Sequence, residues 1–165
     1  MDLKRFWRHA LMSPAKAARY FGSATLDAIQ REVALLEKHH RGELCFVVEA
    51  ELTSAQLWQD VGSRVRARQV FALQGVWNTE ENNGVLIYLL LADRRVEIVA
   101  DRGVESKVDP GEWQSICRAM EKHFGEGRYE EGALGGVRAA SELLARHFPA
   151  TGQERNELQD RPILM

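Results

Sequence analysis

The chain reads as an α/β protein, a three-layer α/β/α sandwich around a small mixed sheet. Three observations predict this. The run Gly84–Leu91 (GVLIYLLL) has no polar face, so a strand there is central, with helices above and below. A second short run, Glu43–Ala50 (ELCFVVEA), is rich in β-branched and aromatic residues and also reads as a strand. Amphipathic segments surround both in the order α, β, α, β, β, α, α, which makes the link between the two strands a right-handed parallel crossover.

Each element has its own warrant. Ser23 or Thr25 can cap a helix over about Leu26–His40 with Leu26, Ile29, Val33 and Leu36 on its buried face, and Gly42 ends it. Thr53 or Ser54 opens a helix that runs through Leu57, Val61, Val65 and Phe71, with Arg64, Arg66 and Arg68 on its other face. Gln74–Asn83 is polar and turn-like. Asp93 and Arg94 form a tight turn between Gly84–Leu91 and a strand at Val96–Ala100, an antiparallel hairpin. Asp109 caps a helix with Pro110 at its first position and Trp113, Ile116, Cys117, Met120 and Phe124 along one face. A last helix covers about Tyr129–Phe148. Gly132, Gly135 and Gly136 are costly on its early turns and predict close approach to a neighbouring backbone.

These elements divide the chain into a basic N-terminal segment 1–22, helical or frayed, a folded domain 23–149, and a polar tail 150–165 with an apolar tip at Ile163, Leu164 and Met165. At 165 residues, 45% hydrophobic and 28% charged, the chain has enough apolar surface to bury a core, which excludes collagenous, disulfide-dense and wholly disordered classes. Its formal net charge of -2 makes a dedicated nucleic-acid partner unexpected. Cys45 and Cys117 lie in apolar contexts and form no C-x-x-C pair, so both are expected as free core thiols in a reducing compartment. No transmembrane or export segment is visible, and a cytoplasmic protein is expected. In the N-terminal segment, Leu3, Phe6, Trp7, Ala10 and Leu11 follow helical spacing among Lys4, Arg5 and Arg8. Such a helix either packs on the domain, the simpler reading, or makes peripheral contact with an anionic membrane.

No Walker A loop, dinucleotide fingerprint, G-x-S-x-G elbow or H-E-x-x-H is present, so no catalytic residue is assigned. His39, His40, His123 and His147 sit in last turns, where positive charge is favoured. One polar constellation follows from the hairpin itself. Strand pairing brings Thr79, Glu80, Glu81, Asn82 and Asn83 beside Asp101, Arg102 and Glu105. An oxygen-rich cluster of this kind suits a hard cation, calcium or magnesium, with Asp101, Glu80 and Glu105 as ligands, while Arg102 and Asn83 hold a bound anion or cofactor. The bland alternative is local capping and ion pairing at a strand end. The general α/β rule points to the opposite end, that of Glu49, Glu51 and Asp93.

The segment Trp77–Val108 (WNTEENNGVLIYLLLADRRVEIVADRGVESKV) carries Asn83-Gly84 before the apolar strand, Asp93 in an acidic turn, and Asp101-Arg102-Gly103 in a glycine-containing loop. With the helix of Trp113 and Phe124, the Gly127–Gly132 stretch, and the closing His147-Phe148-Pro149 and Asn156-Glu157-Leu158, it resembles the TPM-domain family, in particular a short proteobacterial subgroup without a signal peptide. The turn reads Asp93-Arg94 where that family often has two acids. The resemblance covers roughly Leu26–Asp160. It implies an α/β/α sandwich, divalent-cation binding, and an acid phosphatase activity proposed for a plant member. The expectation is a TPM-like module that binds a protein partner without catalysis, with bound calcium or magnesium. The alternative is a weak metal-dependent acid phosphatase.

Overall fold

The structure, a computed structural model, describes residues 2–152 and 156–165 and is organised by its sheet. In chain order the helices are α1 (Leu3–Leu11), α2 (Pro14–Tyr20), α3 (Ser23–Leu36), α4 (Ser54–Trp58), α5 (Ser63–Leu73), α6 (Arg102–Glu105), α7 (Pro110–Gly125) and α8 (Tyr129–His147). The strands are β1 (Glu43–Glu49), β2 (Gly84–Leu90), β3 (Arg95–Ala100) and β4 (Ile163–Leu164). Their spatial order is β3-β2-β1-β4. β1 is parallel to β2 and to β4, while β2 and β3 form the antiparallel hairpin.

The absence of a polar face on β1 and β2 has the expected consequence: every residue of both strands is buried. Leu44, Phe46, Val48, Val85, Ile87 and Leu89 face one layer, where they pack with α3, α7 and α8. Cys45, Val47, Leu86, Tyr88 and Leu90 face the other, with Leu57 of α4 and Ala67 and Val70 of α5. This is the three-layer sandwich. The N-terminal segment spans both layers, since Phe6 of α1 packs on the second cluster while Ala17 and Phe21 belong to the first. Cys45 and Cys117 are free thiols; Cys45 is buried, whereas Cys117 is half-buried on the groove side of α7 rather than in the core, and burial pushes both up to about 12.

Several elements differ from the sequence reading, each for a local reason. The predicted continuous helix through Phe71 is two helices. Asp60 adopts φ 52° and Gly62 caps α5, so the chain turns between Trp58 and Ser63. The turn rotates the helical face: Ala67 and Val70 are buried, and Val65, predicted buried, is exposed. Gly22, not Ser23 or Thr25, stands at the N-cap of α3. Among the three glycines of α8, two are closely approached, but by side chains of α7 rather than by its backbone. A Cβ on Gly132 would lie 2.8 Å from His123 Cβ, and one on Gly136 2.2 Å from Met120 Sδ, whereas Gly135 faces open space. The end of the polar tail returns to the sheet: Ile163 and Leu164 pair with Val47 and Val48, and the Met165 N–H donates to the Val48 carbonyl at 2.8 Å. Residues 153–155 of that tail, and Met1 of the N-terminal segment, lie outside the described residues. His40, predicted to carry helix-end charge, is instead buried at a bridge to Pro149, and burial lowers its pKa to about 4.

The rims of the sheet are occupied by side chains. On β3, the Val96 N–H donates to a Glu121 carboxylate oxygen at 3.0 Å and the Ile98 carbonyl accepts from the Arg64 guanidinium. On the other side, before β4 begins, the Leu44 N–H donates to Glu37 Oε1 at 2.8 Å.

Candidate functional site

The hairpin places the predicted polar residues at the amino-terminal end of β2. Two glycines let the backbone close there. A Cβ on Gly84 would stand 2.0 Å from the Val76 carbonyl oxygen, and one on Gly103 2.5 Å from that of Asn82. Asn82 turns the chain at φ 53°, and its carbonyl accepts the Gly103 N–H at 3.1 Å. The Asp101 N–H donates to the Gly84 carbonyl at 2.8 Å, so Asn83 and Asp101 flank adjacent strand ends.

Both residues keep one oxygen unanswered. Asp101 Oδ1 accepts the Arg102 N–H at 2.7 Å as the cap of α6, but its buried Oδ2 meets no hydrogen-bond donor among the described residues. The Asn83 N–H donates to Thr79 Oγ1 at 3.0 Å and its Nδ2 donates to the Arg41 carbonyl, while its buried Oδ1 likewise has no donor. A buried acceptor without a partner costs roughly 1–3 kcal/mol.

The other predicted residues go elsewhere. Arg102 Nε donates to Asn82 Oδ1 at 3.1 Å, which fixes the loop. The backbone N–H of Glu80 donates to the Glu157 carboxylate at 3.1 Å, and its exposed residue faces the returning tail. Glu105 lines a groove of about 430 Å³ between β3 and α7 with Trp113. Among the described residues, no three His, Cys, Asp or Glu side chains gather closely enough to hold a metal ion.

Beside this end, the tail is fastened by acids. Glu43 Oε2 accepts the N–H groups of Glu157 and Leu158 at 3.1 and 3.0 Å. Burial raises the Glu37 carboxyl to about 8, and the neighbouring Glu43 and Asp160 push the same way against the Leu44 N–H.

The carboxyl-terminal end is built differently, from residues that pairing logic does not connect. Glu49, at the end of β1, accepts from Arg66 Nε at 2.9 Å and Nη2 at 2.7 Å together with the Tyr88 hydroxyl. Burial, and then the Glu49 carboxylate, raise the Tyr88 phenol above its usual range. Asp93 accepts from Arg5 Nε at 3.0 Å and Nη2 at 2.8 Å, and lies 3.1 Å from His9 Nε2. His9 Nδ1 accepts the Leu52 N–H at 2.9 Å, so its Nε2 carries the proton and donates to Asp93. Burial alone would raise the Asp93 carboxyl, but the bonds from His9 and Arg5 outweigh it and hold the group well below the usual carboxylate range. Arg5 also donates to the Val61 carbonyl at 2.6 Å, so one guanidinium ties α1 to the turn before α5 and to the hairpin. The sequence reading assigned His9 no role. Its signal was the i, i+4 pair Arg5 and His9 on the face opposite Trp7, which points a cation and an imidazole the same way.

A family model described as the TPM domain matches residues 15–143. The BA42 protein of the psychrophilic bacterium Bizionia argentinensis, solved by NMR, is 26% identical, with 87% of this chain and 94% of that one covered and a TM-score of 0.74. The N-terminal domain of a P. gingivalis protein, also solved by NMR, is 26% identical, with 78% and 81% covered and a TM-score of 0.61. No curated protein matches the chain.

Proposed function

The chain belongs to the TPM-domain family, and from that premise we propose that it is a non-catalytic binding module that takes a divalent cation, calcium or magnesium, at the amino-terminal end of its sheet. The observation that supports this reading is the pair of buried, unanswered oxygens, Asn83 Oδ1 and Asp101 Oδ2, on adjacent strand ends. Both are hard oxygen donors, one of them anionic, and water completes the shell of a cation held by so few protein groups. Bound there, the cation would stiffen the loop that Gly103 and Arg102 close, and so present a fixed surface to a protein partner. The alternative, a weak metal-dependent acid phosphatase, would draw its nucleophile from water on the same cation rather than from a cysteine.

Calorimetric titration with calcium and with magnesium tests the reading. Asp101→Asn removes a full charge at nearly constant shape and should weaken cation binding tenfold or more, about 1.4 kcal/mol. Arg102→Ala should leave binding intact or tighten it, because a competing positive charge is gone. A wild-type protein that gives no heat at millimolar cation would leave the two oxygens as an uncompensated strand end and sink the reading.

A further inference from the structure

We propose that the outer face of α1, together with the arginines of the β2–β3 turn, docks on an anionic bilayer surface. The inference stands apart from the cation reading, because it concerns the opposite end of the sheet.

The first observation is a ridge that the fold forces outward. Leu3, Trp7 and Leu11 repeat at every fourth position of α1 and are 62%, 56% and 66% exposed. Their exposure is not slack packing. Arg5 and His9 lock the opposite face of the helix onto Asp93, Val61 and Leu52, and Phe6 packs on the core. The helix cannot roll to bury the ridge without breaking those bonds. Trp58, on α4, is exposed at 70%.

Charge supplies the second observation. Residues 2–22 hold five basic side chains, Lys4, Arg5, Arg8, Lys16 and Arg19, against the single acid Asp2, a net of +4. The chain as a whole carries -2, so residues 23–165 carry -6. The positive charge is thus concentrated on the segment that bears the apolar ridge, the pattern of a helix lying in a membrane interface.

Thirdly, a concave basic site lies beside α1. Arg5, Arg8, Arg94 and Arg95 line a cavity of about 430 Å³ with Gly62 and Ser63, and Asp93 is the one acid among its walls. Asp93 is already engaged by Arg5 and His9. Arg94, in the left-handed region at φ 53°, has no ion pair among the described residues, and Arg95 reaches Glu121 only at 3.7 Å. A lipid phosphate seated there would meet Arg94 and, in exchange for its long contact with Glu121, Arg95. One short amphipathic helix alone binds membranes marginally, and the basic cavity adds the second element that such anchoring needs.

Charge complementarity also decides against other occupants. A two-fold contact between copies through α1 would set two +4 segments against each other. A nucleic acid would satisfy the arginines and leave the Leu3–Trp7–Leu11 ridge in water.

Flotation with vesicles tests the proposal. The full chain should float with phosphatidylcholine vesicles that contain phosphatidylglycerol, and not with pure phosphatidylcholine. Raising salt from about 0.1 to about 1 M, which shortens the Debye length from about 10 to about 3 Å, should release it. Trp7→Ser and the double change Arg94→Glu with Arg95→Glu should each weaken binding at least tenfold while thermal melting stays as in wild type, since all three side chains project from the fold. Four outcomes would overturn the proposal: no flotation with anionic vesicles; equal binding to neutral ones; binding of inorganic phosphate or duplex DNA without vesicle binding; or a dimer in sedimentation that Trp7→Ser dissolves.

Discussion

The two ends of the sheet handle buried polarity in opposite ways. At the carboxyl-terminal end, Glu49 and Asp93 are saturated by Arg66, Tyr88, Arg5 and His9, while one buried oxygen of Glu51 meets no donor among the described residues. At the amino-terminal end, Asn83 and Asp101 each keep an oxygen without a donor, although the surrounding backbone is tightly closed. The first arrangement fastens helices to strands. The second leaves bonding capacity in a place where the fold does not need it. The contrast shows that polar residues in one small sheet can be either structural or available, and that the number of unanswered atoms separates the two more clearly than the number of charges.

The largest expected effect attacks the saturated end. Asp93→Ala strands Arg5, whose side chain is only 14% exposed, and removes the partner of buried His9. Breaking a buried pair on one side costs about 3–5 kcal/mol. Denaturant unfolding checks this, and a loss below about 1 kcal/mol would mean that the network is no more than a surface ion pair.

A smaller effect is expected at the open end. Asp101→Ala removes the cap of α6 but leaves no charged partner behind, so it should cost about 1 kcal/mol. A loss as large as that of Asp93→Ala in the same unfolding experiment would erase the difference between the ends.

A last effect is conditional on pH. The Glu37 carboxyl rises from 4.5 to about 8 in the folded protein, so the folded state keeps a proton that the unfolded chain releases. Its contribution to stability is full below pH 4.5 and is lost as pH rises through about 8. Glu37→Gln keeps an oxygen for the Leu44 N–H and cannot ionise. The variant should match wild type in acid and exceed it above pH 8, as read from unfolding midpoints across pH. Parallel pH profiles for the two proteins would show that Glu37 is not titrating in this range.

Much of the fold was legible because it depends on patterns that span several residues. A strand with no polar face at Gly84–Leu91 can only be buried on both sides, and the cap at Asp109 with Pro110 marks α7 to the residue. The break at Asp60 escaped notice because Leu57, Val61 and Val65 keep helical spacing across it, although Gly62 was a turn signal. β4 escaped because two residues carry no period. In the candidate site, the placement of Asn83 and Asp101 at neighbouring strand ends follows from strand pairing and was legible. The directions taken by Glu80 and Glu105 depend on loop and helix geometry outside the hairpin. The link from His9 to Asp93 spans 84 positions and comes from the docking of α1, which no local pattern encodes.

The side chains along the rims of the sheet bear on how this molecule can grow into something larger. Glu121 and Arg64 each take a main-chain group on the outer rim of β3, and Glu37 takes one on β1 where β4 has not begun. β4 itself offers two residues, too few to template a long strand. An extended peptide seeking to lengthen the sheet would have to displace a carboxylate or a guanidinium for its first bonds on either side. Filament growth by strand addition is therefore closed from both directions, and a concentrated solution of the folded protein should stay free of cross-β assembly as long as those three side chains hold their places.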